Sequence, residues 1–233
     1  TNPTVGLPND LWMPSDNYFK PQHSDHFSAG VYKTFSDIYE ASVEAYFQRS
    51  VNVIDFRDNA EIFLNDKVET QVLTGRAKGY GIELLLKKNK GASTGWISYT
   101  WSKALRHIPG VNNNEWYPPS YDRRHNLSIV YNRTLSKRIS IAANWVFRSG
   151  GKTTLPLGSF IFDNYRLMYF STRNGYTMPS HHRLDLSVTW HGRERKKRRW
   201  RDEWVLSIYN AYNRHNVFSL FLKHHPVQFT IVQ

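Results

Sequence analysis

The 233-residue chain contains no cysteine, which excludes disulfides and thiolate metal sites and leaves the redox compartment open. No stretch of about 18 consecutive apolar residues occurs, so no transmembrane helix is present. The catalytic signatures that spacing can reveal are missing as well: there is no HExxH, CxxC, GxSxG or phosphate-binding glycine loop. The opening TNPTVGLPND has neither a charged leader nor an apolar run, so an export signal is expected upstream of Thr1 if the protein is exported. Acidic residues are few beside basic ones, 19 against 31, for a net charge of +12. That excess raises the prior for nucleic acid or an anionic lipid surface as a partner without arguing for any fold. Mean hydropathy is low, -0.59, yet a membrane barrel remains open because only alternate residues of its strands face lipid.

Aromatics are plentiful, with 8 Trp, 14 Tyr and 13 Phe, and they sit in a period-two pattern. Tyr39, Ala41, Val43, Ala45 and Phe47 alternate with Glu40, Ser42, Glu44, Tyr46 and Gln48, which puts the two sets on opposite sides of a strand. The same alternation recurs at 27–31, 80–86, 97–101, 127–131, 139–147, 184–190 and 204–208, giving eight strands. Helices are hard to place anywhere. The connections alternate too: short at Ser36-Asp37, long from 49 to about 73, short around 90–94, long from 106 to 124, short around 133–137 and long from 149 to 180. Outer-membrane barrels have short periplasmic turns and long extracellular loops, whereas compact soluble domains rarely carry three loops of this length. The long connections are therefore extracellular. Tyr39, Tyr131, Trp190 and Trp204 then fall at periplasmic strand ends and Phe47, Trp101 and Phe147 at extracellular ends, as two aromatic belts. Leu84, Ile129, Ile141 and Leu186 are expected to face lipid, and Glu83, Ser128, Ser140 and Asp185 the lumen, with Glu40 and Glu44 as further lumen carboxylates.

Several segments carry a family resemblance: LPNDLWMPS (7–15), GYGIEL (79–84), GWISYTWSKA (95–104), YDRRHNL (121–127), HRLDLSV (182–188) and SIYNAYNRHNVF (207–218). In this order they resemble the distal half of TonB-dependent outer-membrane receptors. The resemblance implies an all-β fold, an antiparallel transmembrane β-barrel of about 22 strands in complete members, with residues 1–233 as a C-terminal portion of about eight to ten strands. It implies that the plug domain and the first barrel half lie outside this chain and that the TonB energising complex acts through them. A surface substrate-binding lipoprotein as a further partner stays open. The chain ends at HPVQFTIVQ, where the family pattern would run into a last strand closed by an aromatic residue. The first and last strands are thus expected to pair with barrel segments outside the chain, which would not fold alone.

Gly79 and Gly81 bracket Tyr80, where a missing Cβ permits close backbone approach. Asp122 beside Arg123 and Arg124 can pin a loop end, while the alternative is an anionic ligand on either arginine. The basic run RERKKRRWR (193–201) suits phosphate contacts, but two amphipathic strands bracket it and a charged periplasmic turn explains it; no nucleic-acid partner is expected. Adjacent histidines, His181-His182 and His224-His225, point to opposite faces of an extended chain and do not converge on a metal. Asp185 and His182 read as a lumen-facing polar pair. No cofactor and no catalysis are expected. The loop aromatics Trp116, Tyr117, Tyr165, Tyr169 and Tyr176, with Arg123 and Arg124, are the candidate contacts for a captured nutrient, since exposed rings stack on sugars or pack on apolar ligands. A passive porin or a barrel enzyme is the alternative function.

Overall fold

A strand that is apolar on alternate residues can satisfy its backbone only by pairing with a like neighbour. The computed structural model describes residues 20–58, 60, 67–163, 165–192, 200, 202–218, 220–224 and 229–232, without the side chains of 165–167, 221–224 and 229–232. The LPNDLWMPS motif, the Tyr165 side chain, His225 and the basic run at 193–199 lie outside the described residues. The strands are β1 (His23–Phe35), β2 (Tyr39–Phe56), β3 (Val72–Lys88), β4 (Ser93–His107), β5 (His125–Ser136), β6 (Ile139–Arg148), β7 (Lys152–Thr153), β8 (Pro156–Phe162), β9 (Tyr165–Phe170), β10 (Tyr176–Thr177), β11 (His181–His191), β12 (Glu203–Ile208), β13 (Phe221–His224) and β14 (Phe229–Val232). Helix is confined to single 3-10 turns at Val68–Gln71 and Asn112–Asn114.

One antiparallel sheet runs β1-β2-β3-β4-β5-β6-β11-β12, and its eight strands are the eight expected from the alternation. Small two-stranded sheets pair β7 with β10, β8 with β9 and β13 with β14. Ser36 and Asp37, at φ 49° and 51°, supply the left-handed pair of a type I′ turn between β1 and β2. Two expectations need correction. Strands β2, β3 and β4 have 18, 17 and 15 residues, longer than the roughly 9–11 that cross a bilayer, so the first long connection shrinks to 57–71. The third, 149–180, has its own backbone pairing in β7 to β10, because a structureless loop of that length would leave its polar groups to water alone.

Register aligns the two faces across the sheet. Val31, Val43, Leu84, Tyr99, Leu127 and Phe147 form one row, and Glu44, Glu83, Thr100, Asn126, Arg148 and His181 form a row on the other side. Ile129 lies between Ile97 and Trp145, Ile141 against Val188, and Leu186 between Ala143 and Ile208, all on the apolar face. Leu84 is 40% and Leu86 51% exposed. The buried apolar cluster among the described residues, Ile108, Val111 and Tyr117 against Leu73, lies at the long-loop end. The wall therefore leaves its apolar face for another phase to cover, as in a transmembrane barrel. Its sheet is not closed: β1 pairs with β2 and β12 with β11, and not with one another.

The glycine pair around Tyr80 divides. A Cβ on Gly81 would come within 2.5 Å of the Trp101 carbonyl and 2.8 Å of the Tyr46 ring, whereas one on Gly79 would meet its first neighbour at 3.9 Å. Close approach thus explains Gly81 and not Gly79. Asp185 and His182 also need correction, since they fall on opposite faces. Asp185 accepts from Arg183 Nε at 3.0 Å and the Asn210 amide, while His182 Nδ1 meets the Tyr212 hydroxyl at 2.8 Å.

Ile129→Arg, on the apolar face, is expected to cost about 2–4 kcal/mol of folding stability in the bilayer, and Ser128→Arg, one residue on, less than about 1 kcal/mol. Reversible denaturant unfolding of the intact protein in lipid vesicles measures both. Equal costs at the two positions would contradict the assignment of faces.

Candidate functional site

Beyond the length needed to cross a membrane, β2 carries a bulge. Its pairing with β3 slips between Val51 and Val53, with Asn52 left over at φ 57°. A one-residue slip inverts the faces, so Val53 and Asp55 turn toward the polar side while Ile54 takes the apolar one. On the neighbouring strands the chain is drawn tight: a Cβ on Gly75 would sit 2.3 Å from the His107 carbonyl and 2.7 Å from Ile108 Cα, so the close contact between β3 and the end of β4 requires glycine. Into this corner pack Ile108, Val111 and Tyr117. Tyr117 is held by two backbone hydrogen bonds with Arg106, at 2.8 and 2.9 Å.

Asp55 is the hub of the polar part. The Tyr117 hydroxyl donates to its Oδ2 at 2.9 Å, Arg173 Nη2 to its Oδ1 at 2.8 Å and Arg106 Nη1 to Oδ2 at 3.4 Å. Arg173 Nη1 also reaches Asp58 at 3.3 Å, and the Arg173 amide donates to Asn112 Oδ1 at 2.9 Å. Next to it Asn174, buried, donates to the Pro118 carbonyl and receives its own amide's bond from Thr154 Oγ1. Residues from the β2–β3, β4–β5 and β6–β11 connections thereby share one network of two carboxylates and two guanidiniums. Burial, and then the Asp55 charge, push the Tyr117 phenol well above its ordinary range. It therefore stays a protonated donor at physiological pH.

The expected contact residues do not converge on one spot. Tyr117, 1% exposed, is a packing residue of the cluster with its hydroxyl spent on Asp55, so it is withdrawn from any ligand. Trp116, 42% exposed, lies on the opposite side, with the Lys78 ammonium 4.4 Å from its ring and the His107 ring at 5.3 Å; both of those residues belong to the apolar face. Arg124 binds Asp122 at 3.2 Å, and Asp122, buried, accepts the Ala104 amide at 2.8 Å. That pins the start of β5 as the YDRR segment suggests. Arg123 remains exposed and holds Ser102 through its carbonyl alone. Tyr176 is half-buried opposite Thr153, and Tyr169 is 61% exposed on β9.

Tyr169 belongs to a hairpin whose other apolar residues the loop reading passed over. Leu157, Phe160, Ile161 and Phe162 on β8 and Met168 on β9 are all exposed, Ile161 at 70%. Phe162 pairs with Tyr165 across the two-residue turn Asp163-Asn164, and Asp-Asn between two apolar runs is a hairpin signal that the sequence does carry.

A family model described as TonB dependent receptor-like, beta-barrel matches residues 3–213. No curated protein and no solved structure matches the chain.

Removing Asp55 leaves two guanidiniums and a phenol without their acceptor. Because Asp55 keeps some exposure, Asp55→Ala is expected to ease local opening of the loops by about 2 kcal/mol, less than for a fully buried pair. Limited proteolysis of the intact protein should then cut the 149–180 connection about thirtyfold faster while the barrel strands stay protected. Tyr117→Phe should cost about 1 kcal/mol. A phenol whose folded pKa is raised contributes stability below its unfolded value of about 10 and loses it as pH rises through the folded value. Proteolytic opening should accordingly set in only above about pH 10 in the native protein and show no such alkaline step in Tyr117→Phe.

Proposed function

The chain belongs to the TonB-dependent receptor β-barrel family, a family of outer-membrane receptors and transporters of Gram-negative bacteria and not of enzymes, and from that premise we propose that it is the distal part of the wall of an active-transport receptor. In this reading the protein lies in the cell outer membrane, captures a nutrient at its extracellular loops, and imports it through a plugged barrel with energy from TonB. The plug and the remaining barrel strands belong to the same receptor outside residues 1–233, and β1 and β12 pair with those strands.

The observation that carries the reading is the combination of an eight-stranded sheet open at both edges with long connections gathered on one side and tied together by Asp55 and Arg173. An open sheet with an apolar face has no stable place in hydrocarbon unless its edges are paired. A passive pore needs no cross-linked platform. Capture does, because contacts made on rigid supports lose less ordering entropy on binding. The hairpin β8–β9 is the proposed capture surface: Phe160, Ile161, Phe162 and Tyr169 present apolar and aromatic area to solvent, with Tyr176 and Arg123 as flanking contacts.

Uptake of the nutrient that requires this protein for growth should stop when TonB is deleted, and surface binding to the cells should persist. Replacing Phe160 and Ile161 by serine should raise the half-saturating concentration about tenfold, from roughly 1.5 kcal/mol of lost apolar burial. A steady open conductance of the intact protein in planar bilayers without TonB would instead identify a passive porin.

A further inference from the structure

The apolar face changes character toward the long-loop end. Phe27, Phe47 and Tyr80 stand in one row, with Lys103 as the next residue along it. In the row above, Arg49 is the direct cross-strand partner of Lys78, and in the row above that Arg76 is the partner of His107. Like charges directly opposite on neighbouring strands are destabilising. Five basic or potentially basic side chains on three adjacent strands, all pointing to the side that carries Ile82 and Leu84, are therefore a cost that the wall bears in isolation. Among the described residues, Arg49, Arg76, Lys78 and Lys103 take part in no ion pair with a carboxylate. Asp25 stands across from Arg49, but the ion pair it forms is with His23, at 3.9 Å.

Geometry adds a receptacle. A cavity of about 470 Å³ opens between the bulge at Asn52 and the end of β4, with Arg76 and His107 on its wall. Trp116 stands beside it, stacked under the Lys78 ammonium and close to the His107 ring, so the edge of the site is a large aromatic surface. With strands about 4.8 Å apart and residues rising about 3.4 Å each, the basic patch covers roughly 10 by 13 Å. One phosphate does not span that. Two do.

The position identifies the kind of ligand. A soluble anion gains nothing from a site whose lower border is a row of aromatic rings and whose continuation is the lipid-facing surface. An amphiphile gains there twice, since its acyl chains can run down over Phe47, Tyr80 and Ile82 while its charges meet the guanidiniums, and arginine is well suited to hold phosphate oxygens in pairs. We propose that the long-loop rim of the apolar face, built from Arg49, Arg76, Lys78, Lys103 and His107, binds a lipid of the outer leaflet whose headgroup carries two phosphates. This rests on the reading of that face as lipid-facing.

The test uses the intact protein purified in neutral detergent, with lipid A, a diacylated-sugar lipid bearing two phosphates, as the probe, and native mass spectrometry as the readout. Retention of lipid A on the native protein, with dephosphorylated lipid A and equimolar inorganic phosphate unable to displace it, is the expected result. In Arg49→Gln/Arg76→Gln/Lys103→Gln, with Lys78 left to hold Trp116, affinity should fall about a hundredfold, from about a factor of five for each charge removed. The charge-keeping set Arg49→Lys/Arg76→Lys/Lys103→Arg should stay within about threefold of native. If the triple glutamine variant does not fold, as judged by heat-modifiable migration, Lys103→Gln alone should show the fivefold loss. Unchanged affinity in the glutamine variants, equal binding of the dephosphorylated lipid, or displacement by inorganic phosphate would overturn the proposal. A native protein that inserts in vesicles while its lipid A binding ignores these substitutions refutes this site alone; one that stays soluble without detergent refutes the membrane reading beneath it.

Discussion

In hydrocarbon a backbone amide has no water to fall back on, and each unpaired group costs several kcal/mol. The rest of this structure follows from that constraint. It requires every crossing segment to lie in a continuous antiparallel ladder, and the order β1 to β6 followed by β11 and β12 is the simplest ladder that this chain permits. Sequential neighbours pair except where the β6–β11 connection intervenes, and that connection pairs internally through β7 with β10 and β8 with β9. Where the ladder stops, at β1 and β12, the same constraint demands a partner. The edges of the sheet are thus an argument about what surrounds it, of the same kind as its apolar face.

Above the ladder a different physics takes over, because the extended ends of β2, β3 and β4 reach water and can bury polar groups only in pairs. A single extra residue, Asn52, makes the change possible. Without the bulge, Asp55 would point to the apolar side and Ile54 to the polar one. With it, the Asp55 carboxylate meets Tyr117, Arg106 and Arg173, and the cluster gains the mutual reinforcement of a connected network in a partly desolvated corner. The loops are consequently organised from the strand ends rather than from their own sequences.

This contrast explains what could be read from the sequence alone. The eight strands, their faces and the side of the long loops are properties of residue spacing within ten or so positions, so alternation and loop length suffice to show them. The Asp55–Arg173 pair joins residues 118 positions apart, and nothing local to either marks it. The bulge at Asn52 interrupts an alternation that otherwise appears to end at Phe47, which is why β2 reads as shorter than its 18 residues. Tyr117 looked like a loop aromatic free to meet a ligand because exposure of a loop residue depends on distant packing. The Gly79 and Gly81 pair shows the same limit on a smaller scale: their spacing is identical, and only the Tyr46 ring beside one of them distinguishes the two.

Trp116 and Tyr117 connect the two halves of the molecule's extracellular end. They are consecutive, in extended chain bonded to β4 through Arg106, so their side chains must diverge to opposite sides of the wall. Tyr117 goes inward to the carboxylate that ties the loops, and Trp116 goes outward over Lys78 and His107. Any displacement of this short segment moves both side chains together, since each is fixed by contacts of its own and the two share one backbone link. The loop cluster is therefore anchored on its outer side by the basic rim, and the position of that rim at the membrane boundary sets the height at which the capture surface is held.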